Sequence, residues 1–337
     1  MKKMLLLALV FVLVFTMIAC SSDDPAKSEL PDSGTKEEAG TYKLKLGTTA
    51  PAGGHYVLGL EQFADKLKAY SGETITVEIY PSSQLGNERD LIEGVAMGTV
   101  EMCISSTGPL PNFVPDFSVL DLPYIFKSHE HAYEILDGEV GQKILGQMEA
   151  KGIKAINFWE NGFRNITTGS TPVRTPEDLK GLKIRTMEND IHMEVFNSLG
   201  ATATPMAFGE LFTALQQGVV DGQENPSILI SDTKMYEAQK YITLVEYVYS
   251  PAVLMINNEL FNSFTAEQQE AFLKAAKEAQ AWQRNYCQEN EAASLANIEA
   301  NGVEIIEVDQ AEWVEATKGV YDTFKDKLNQ EYFEMIK

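Results

Sequence analysis

Apolar and polar residues alternate in several short segments of the chain, and apolar residues recur every three or four positions in the longer segments between them. The alternation in 42–47 and 74–80 predicts strands, and the apolar run 100–104 predicts a third. The spacing in the segments 88–97 and 131–151 predicts helices. A strand–helix alternation of this kind is typical of a layered α/β lobe.

A second strand–helix series follows a predicted strand at 154–159. The short apolar run 182–185 predicts a strand that carries Arg185 at its carboxyl end, and the segment 189–199 predicts the next helix. Ligands of open α/β sheets bind at the carboxyl ends of strands. Phe208, at the start of a further helix, and Asn225, beside a proline, are therefore expected to converge on Arg185.

The last third of the chain contains the longest predicted helix, which spans 265–300 and opens with a capping box of Thr265 and Gln268. One apolar stripe is predicted to be buried along it: Phe272, Ala275, Ala279, Trp282 and Tyr286. The segment 241–256 before it predicts a long strand or a pair of strands. At 337 residues the chain exceeds the size at which one core usually keeps growing, so two lobes are expected.

Residues 1–19 have the pattern of a signal peptide: two lysines, an apolar run over 5–15 and the small residue Ala19. The run is too short to span a membrane. Cys20 directly follows Ala19, as in a lipoprotein processing site, which predicts lipidation of Cys20 and an extracytoplasmic, membrane-anchored protein. Ordinary secretion with an incidental cysteine is the alternative. The segment 20–40 has almost no large apolar residue and is predicted to be a flexible tether behind the anchor.

The net charge of −22 argues against a nucleic-acid partner, because phosphate backbones require clusters of lysine and arginine. The same charge repels an anionic ligand at long range. A site for an anion must then depend on a local positive charge inside a cleft, which draws attention to buried arginines.

Residue types that often carry chemistry are sparse. Cys103 and Cys287 lie in apolar patterns, and we expect both to be buried, unpaired thiols. The segment 129–131 places two histidines on different sides of a helix, so we interpret them as surface residues and predict no metal site. The sequence has no phosphate-binding glycine loop, no nucleophile elbow and no CxxC motif, so we predict neither a cofactor nor an enzymatic activity.

Several ordered motifs carry a resemblance to a known family. They are YPSSQLGNERDLIEGVAMG at 80–98, NGFRNITT at 161–168, KIR at 183–185, PMAF at 205–208, ELFTALQ at 210–216 and VDGQEN at 220–225. The chain closely resembles the solute-binding proteins of tripartite ATP-independent periplasmic (TRAP) transporters, the DctP family. The resemblance implies an α/β, two-lobed periplasmic-binding-protein-like fold with a hinge and a long lobe-crossing helix. Lobe I is expected to comprise 41–161 and 250–290, and lobe II 162–249 and 291–337.

The resemblance also implies a carboxylate site. Arg185 matches the family's main carboxylate clamp, Arg164 matches a second arginine, and Asn225 matches an amide that completes the site. Phe208 matches a ring that lies against the ligand's carbon skeleton. Three positions of lobe I align with ligand-facing positions of the family: Thr49, Glu88 and Ser106.

The chemistry of these residue types agrees with that assignment, because a guanidinium group presents a rigid donor fork that matches a carboxylate. Each residue also has an alternative role. Arg185 could pair with an internal acid such as Glu188 or Glu224, and Arg164 could be a surface or hinge arginine. Phe208 could be a core residue, and Asn225 could cap a helix that starts at Pro226.

The resulting hypothesis is an extracytoplasmic binding protein that captures an organic acid between two lobes and delivers it to the permease subunits of a TRAP transporter. Two arginines together with Glu88, which can accept hydroxyl hydrogens, favour a hydroxylated acid such as a uronate. The alternatives are a protein that presents its ligand to a sensor kinase and, less favoured, a secreted enzyme that acts on a small acid.

Overall fold

A computed structural model describes residues 40–337, which lie within one unit, Ala39–Lys337. The predicted signal peptide, Cys20 and all of the predicted tether but its last residue lie outside the described residues. The first half of the chain runs in this order: β1 (Tyr42–Gly47), α1 (His55–Tyr70), β2 (Ile75–Tyr80), α2 (Glu88–Met97), β3 (Met102–Ser106), α3 (His129–Asp137), α4 (Glu139–Gly146) and β4 (Ile153–Thr168).

The second half continues as β5 (Lys183–Thr186), α5 (Asp190–Ser198), β6 (Thr202–Pro205), α6 (Phe208–Gln216), β7 (Gly222–Pro226), α7 (Ser227–Asp232), β8 (Tyr241–Thr243), β9 (Tyr249–Asn257), α8 (Asn258–Asn262), α9 (Ala266–Ala300), β10 (Glu304–Ile306), α10 (Gln310–Thr317), α11 (Gly319–Phe324) and α12 (Gln330–Ile336). Short 3-10 helices lie at Leu110–Asn112, Pro115–Asp121, Gln147–Lys151, Pro176–Leu179 and Met235–Glu237.

In the first sheet, β1 lies between β2 and β3 and is parallel to both. The alternation that predicted β1 is visible in its burial, because Leu44 and Leu46 are buried while Lys43 and Lys45 are exposed. The predicted bounds of β1 and α2 are confirmed. Helix α2 begins where Asn87 and Asp90 form a capping box, which fixes the position of the first helical residue.

The prediction of one continuous helix over 131–151 is wrong. The chain forms α3 and α4 instead, separated at Gly138, whose backbone is extended with φ −83° and ψ −164°. A Cβ atom on Gly138 would lie 2.7 Å from the carbonyl oxygen of Glu134. The close approach therefore requires glycine, and the extended backbone ends the first helix.

Strand β4 is much longer than the predicted 154–159 and takes part in two sheets. Up to Phe163 it is antiparallel to β9, which in turn pairs with β3 of the first sheet. From Arg164 onward it pairs with β7 and β8 of the second sheet. The change of partner follows a register shift at Gly162, whose φ of 123° lies in the region that favours glycine.

The second sheet has β5 parallel to both β6 and β7, and β10 parallel to β8. Strand β6 had no counterpart in the sequence-based prediction. The segment 241–256 is a pair of strands, β8 and β9, as one of the two predicted alternatives stated. The carboxyl end of β5 carries Arg185, as predicted.

Helix α9 has the predicted bounds and the predicted capping box of Thr265 and Gln268. Its buried stripe is only partly as predicted, because Trp282 and Tyr286 are half-buried and stack on each other. Gln283 is buried beside them because it bonds the backbone of β4: it accepts from the Glu160 N–H at 2.9 Å and donates to the Glu160 carbonyl at 2.8 Å.

Helix α9 spans the two parts of the fold. Its first half contacts α1 through a Lys66–Glu278 ion pair, and its end contacts α7 through Asn297 and Ser231. Within residues 40–337, no helix has the length and apolar character needed to cross a bilayer.

Candidate ligand-binding site

A cavity of about 340 Å³ lies where the carboxyl ends of the strands meet the amino ends of the helices. Anions are favoured at helix amino ends, and ligands of α/β sheets bind at strand carboxyl ends. Six of the seven predicted site residues line this cavity: Thr49, Glu88, Ser106, Arg185, Phe208 and Asn225. Arg164 is not among the lining residues.

Arg185 is buried and has no carboxylate partner within the described part of the chain. Its Nε and Nη2 donate to the carbonyl oxygen of Met206 at 3.0 and 2.6 Å, and its Nη1 has no hydrogen-bond partner among residues 40–337. The alternative pairing of Arg185 with Glu188 or Glu224 is wrong, because those acids bind Arg89 and Arg164 instead.

The electrostatics of Arg185 follow from this arrangement. Burial, together with the charge of Arg164, lowers the pKa of Arg185 to about 10, although the charges of Glu224 and Glu88 oppose the shift. A buried cation without a counter-ion is costly unless a ligand supplies the missing charge. The cavity therefore favours an anion at Arg185.

Arg164 has the opposite environment. It is fully buried and binds both carboxylate oxygens of Glu224, with Nη2 2.9 Å from Oε1, and Tyr247 donates to the same carboxylate at 2.6 Å. Burial lowers the pKa of Arg164, but the charge of Glu224 and the bonds to it outweigh burial, so the pKa is raised overall. The alternative that placed Arg164 on the surface is wrong.

Asn225 connects Arg164 to the cavity. Its Oδ1 accepts from Nη2 of Arg164 at 2.9 Å, and its Nδ2 donates to Gln223. The alternative in which Asn225 caps a helix is wrong. Asn225 lies in β7, and the residue that directly precedes α7 is Pro226. The two bonds fix the orientation of the amide on the cavity wall.

Phe208 is the first residue of α6 and is half-buried. The guanidinium carbon of Arg185 lies 5.9 Å from the centre of its ring, which is within the range of a cation–π contact. The ring therefore lies at the arginine and lines the cavity, rather than serving only as core packing.

Glu88 and Ser106 form a fixed acceptor group in the lining of the cavity. The carboxylate accepts from the Ser106 N–H at 2.7 Å through Oε1 and from the Ser106 hydroxyl at 3.0 Å through Oε2. Both oxygens keep lone pairs for further donors. Such a carboxylate suits ligand hydroxyl groups and repels a second ligand carboxylate.

Five lining residues were not predicted from the sequence: Ala50, Tyr56, Asn161, Met187 and Leu229. Two of them present buried polar atoms, the Tyr56 hydroxyl and Asn161 Oδ1, that have no partner among residues 40–337. Burial raises the pKa of Tyr56 well above its usual value, so its hydroxyl remains a donor. Asn161 was part of a recognised motif, and that was the signal available for it; Tyr56 had none.

The histidine pair predicted on the surface is partly wrong. The His129 ring is only 23% exposed, since Nδ1 lies 3.4 Å from Glu160 and Nε2 lies 3.7 Å from Glu291. Burial lowers the pKa of His129, but bonds to these acids outweigh burial and raise it to about 10. Within the described range, no group of three or more metal-ligating side chains is placed to share an ion. Cys103 and Cys287 are free and buried, as predicted.

Comparisons with known proteins agree on one family. Residues 46–327 match the DctP family, described as bacterial extracellular solute-binding protein, family 7. A solute-binding protein of Verminephrobacter eiseniae is 39% identical over 295 residues, which cover 87% of this chain and 88% of the relative.

Two solved structures extend the likeness to the fold. A TRAP periplasmic solute-binding protein of Polaromonas sp. JS666, bound to D-erythronate, has a TM-score of 0.85 at 39% identity and covers 87% of this chain and 97% of its own. The sugar acid binding protein of Advenella mimigardefordensis, in complex with galactonate, has a TM-score of 0.86 at 32% identity and covers 89% and 97%.

Proposed function

The chain belongs to family 7 of the bacterial extracellular solute-binding proteins, the DctP family of TRAP transporters, and on this basis we propose that it captures a hydroxylated organic acid, such as a sugar acid. The fold is the two-lobed α/β fold of these binding proteins. The family is extracytoplasmic, and its members bind solutes rather than transform them.

The observation that carries the proposal is the buried Arg185 guanidinium, which belongs to the cavity lining and whose Nη1 has no partner in the described chain. A ligand carboxylate would supply both the missing hydrogen bond and the missing charge. Asn225 completes this end of the site, and Arg164 acts through Asn225 by holding its amide.

The charges of the lining support a single carboxylate on the ligand. Among the lining residues, Arg185 is the one cation and Glu88 the one anion. A second carboxylate on the ligand would find no cation and would approach Glu88, whereas hydroxyl groups can donate to Glu88 and accept from Tyr56. D-Erythronate and galactonate, the acids bound in the two related structures, both combine one carboxylate with several hydroxyl groups.

We assign the remaining predicted residues to the carbon chain of the acid. Phe208 would lie against it beside the carboxylate, and Thr49 and Ser106 would contact its hydroxyl groups from the first sheet. The site would then contact the whole ligand between the two sheets, from its carboxylate at one end to its hydroxyl groups at the other.

Isothermal titration tests the proposal with matched pairs: D-galactonate against galactitol, and D-erythronate against erythritol. We expect an acid to bind and its neutral alcohol to fail, with succinate weaker than the hydroxylated acids. Arg185→Ala should weaken binding of the acid by about 2 to 5 kcal/mol, because truncation leaves the bound carboxylate unpaired. Arg174→Ala, at an exposed arginine paired with Glu304, is the control and should bind as the wild type does. Equal binding by Arg185→Ala and the wild type would refute the assignment.

We further infer that the lobes comprise 41–161 with 250–290 and 162–249 with 291–337, and that they close on the acid. Support comes from β4, which passes from the first sheet into the second, and from Gly162 at the register shift. Small-angle scattering should show a smaller radius of gyration when a binding acid is added. An unchanged radius would contradict closure.

Delivery to the permease and anchoring through Cys20 complete the proposal. Uptake of a binding acid in cells should need this protein and the permease subunits together; uptake that persists without the permease would favour a sensor role.

Lipidation rests on the position of Cys20 after the signal sequence. Mass spectrometry of the mature protein should find a lipid-modified Cys20, and Cys20→Ala should be released from membranes.

A further inference from the structure

A second cavity, of about 310 Å³, lies next to the one that contains the proposed acid site. The two cavities share four lining residues, Glu88, Arg185, Met187 and Phe208. Residues that line both cavities form the wall between them. The contents of this wall therefore decide whether a ligand is confined to the inner cavity or extends into the outer one.

Three of the four wall residues are held by polar or cationic contacts. Ser106 binds both oxygens of Glu88, the Met206 carbonyl binds Arg185, and the ring of Phe208 lies over the guanidinium group. Met187 is the remaining member. Its side chain is unbranched and apolar, the type that most readily adapts to a new shape of its surroundings.

Met187 lies in a close-fitting seat made by the opposite sheet. It follows β5 of the second sheet, whereas Ser106 and Gly108 end and follow β3 of the first. The thioether sulfur lies 3.3 Å from the Ser106 hydroxyl oxygen, and a Cβ atom on Gly108 would lie 2.5 Å from that sulfur and 2.6 Å from the methyl carbon. The seat exists because residue 108 has no side chain.

We propose that Met187, seated on Gly108, is a specificity-determining partition that limits the length of the bound acid. This inference rests on the proposed function. With the partition in place, an acid must end within the inner cavity. Without it, the outer cavity, with polar residues Asn87, Arg89 and Glu188 in its lining, would take the distal hydroxylated part of a longer acid, such as a second sugar residue.

Titration with three acids of increasing length tests the partition: D-erythronate, gluconate, and lactobionate, which is gluconate carrying a galactosyl group. In Met187→Ala the affinity for lactobionate relative to the shorter acids should rise about tenfold or more, the scale at which pocket shape discriminates ligands. Met193→Ala, at a methionine of α5 that lines neither cavity, should keep the wild-type ratio. An unchanged ratio in Met187→Ala, or a wild type that binds lactobionate as well as gluconate, would overturn the proposal.

A double-mutant cycle tests the seat. Gly108→Ala should displace the Met187 side chain into a cavity and weaken binding of the short acids about tenfold, whereas the same change in the Met187→Ala background should cost less than about twofold, because residues in contact are non-additive. Equal losses in both backgrounds would show that Gly108 acts through something other than Met187.

The methyl resonance of Met187 separates this inference from the proposed function. In methyl-labelled protein without ligand, Gly108→Ala should shift the Met187 signal, identified by its loss in Met187→Ala. If no acid binds the wild type yet this signal shifts, the proposed function fails and the seat stands. If acids bind but the signal does not move, the proposed function stands and the partition is refuted.

Discussion

Arg164 and Arg185 lie on neighbouring parts of the second sheet, both buried, and both within recognised sequence motifs, yet their surroundings differ in one respect. Arg164 on β4 is bound by both oxygens of the Glu224 carboxylate. Arg185 on β5 is bound by one neutral carbonyl oxygen, that of Met206. The pKa of Arg164 is raised by its carboxylate partner, whereas burial lowers the pKa of Arg185 to about 10.

This difference shows that burial and motif membership do not identify a binding arginine. What distinguishes it is whether the protein itself supplies a carboxylate partner. An arginine neutralised inside the protein is held by its partner and in turn holds its neighbours, here Asn225. An arginine left without a carboxylate keeps its charge available, and the cost of that burial is recovered when an anion binds.

The largest expected effect comes from removing the charge of Glu224. Glu224→Gln leaves Arg164 buried and uncompensated, so the free energy of unfolding should fall by about 3 to 5 kcal/mol in chemical denaturation. The matched control is Glu93→Gln, which breaks an exposed pair with Arg89 and should cost no more than about 1 kcal/mol. Similar losses in the two variants would mean that Arg164 does not depend on Glu224.

The two arginines also differ in how much of their surroundings could be predicted from the sequence. The segment with Arg185 was predicted well because a short apolar run, a charged end and flanking glycine are local signals. The partner of Arg164 was not, because Glu224 meets it only through the antiparallel pairing of β4 with β7, in which Arg164 faces Pro226 across the ladder. Sequence order places these residues about sixty positions apart and gives no register.

Local geometry accounts for other differences. The predicted helix over 131–151 breaks at Gly138 because of a contact with the carbonyl of Glu134, which no periodicity reports. Tyr56 and Met187 reach the cavity because two sheets face each other, so their roles depend on tertiary packing. Resemblance to the family placed six lining residues, but it did not show which arginine lacks a counter-ion.

The lowered pKa of Arg185 predicts the pH dependence of acid binding. An ordinary arginine remains protonated throughout the pH range of such titrations, but burial lowers the pKa of Arg185 in the ligand-free protein to about 10. Affinity should therefore be constant below that pH and fall about tenfold per unit above it, near 1.4 kcal/mol at pH 11. Titrations at pH 8, 10 and 11 measure this, with circular dichroism to check that the fold persists. A flat profile to pH 11 would show that Arg185 has an ordinary pKa.

A smaller effect of opposite sign separates the arginines by stability. Arg185→Met should raise the free energy of unfolding of the ligand-free protein by about 1 kcal/mol, because removing an unpaired buried cation outweighs two bonds to one carbonyl. Arg164→Met should lower the same quantity, since it leaves Glu224 buried and unpaired. Denaturant midpoints without ligand measure both. Destabilisation by both variants would mean that Arg185 is a structural residue like Arg164.

The smallest expected effect tests whether the ring of Phe208 adds to the difference between the arginines. Phe208→Leu keeps an apolar wall but removes the aromatic face 5.9 Å from the Arg185 guanidinium, so acid binding should weaken by about 0.5 to 1 kcal/mol, two- to fivefold. Phe333→Leu, which removes a ring from a comparable contact with Lys337 far along the chain, is the control for titration calorimetry and should leave affinity unchanged. A loss as large as that of Arg185→Ala would mean that the ring, rather than the free charge, anchors the acid, and the contrast between the two arginines would no longer explain the site.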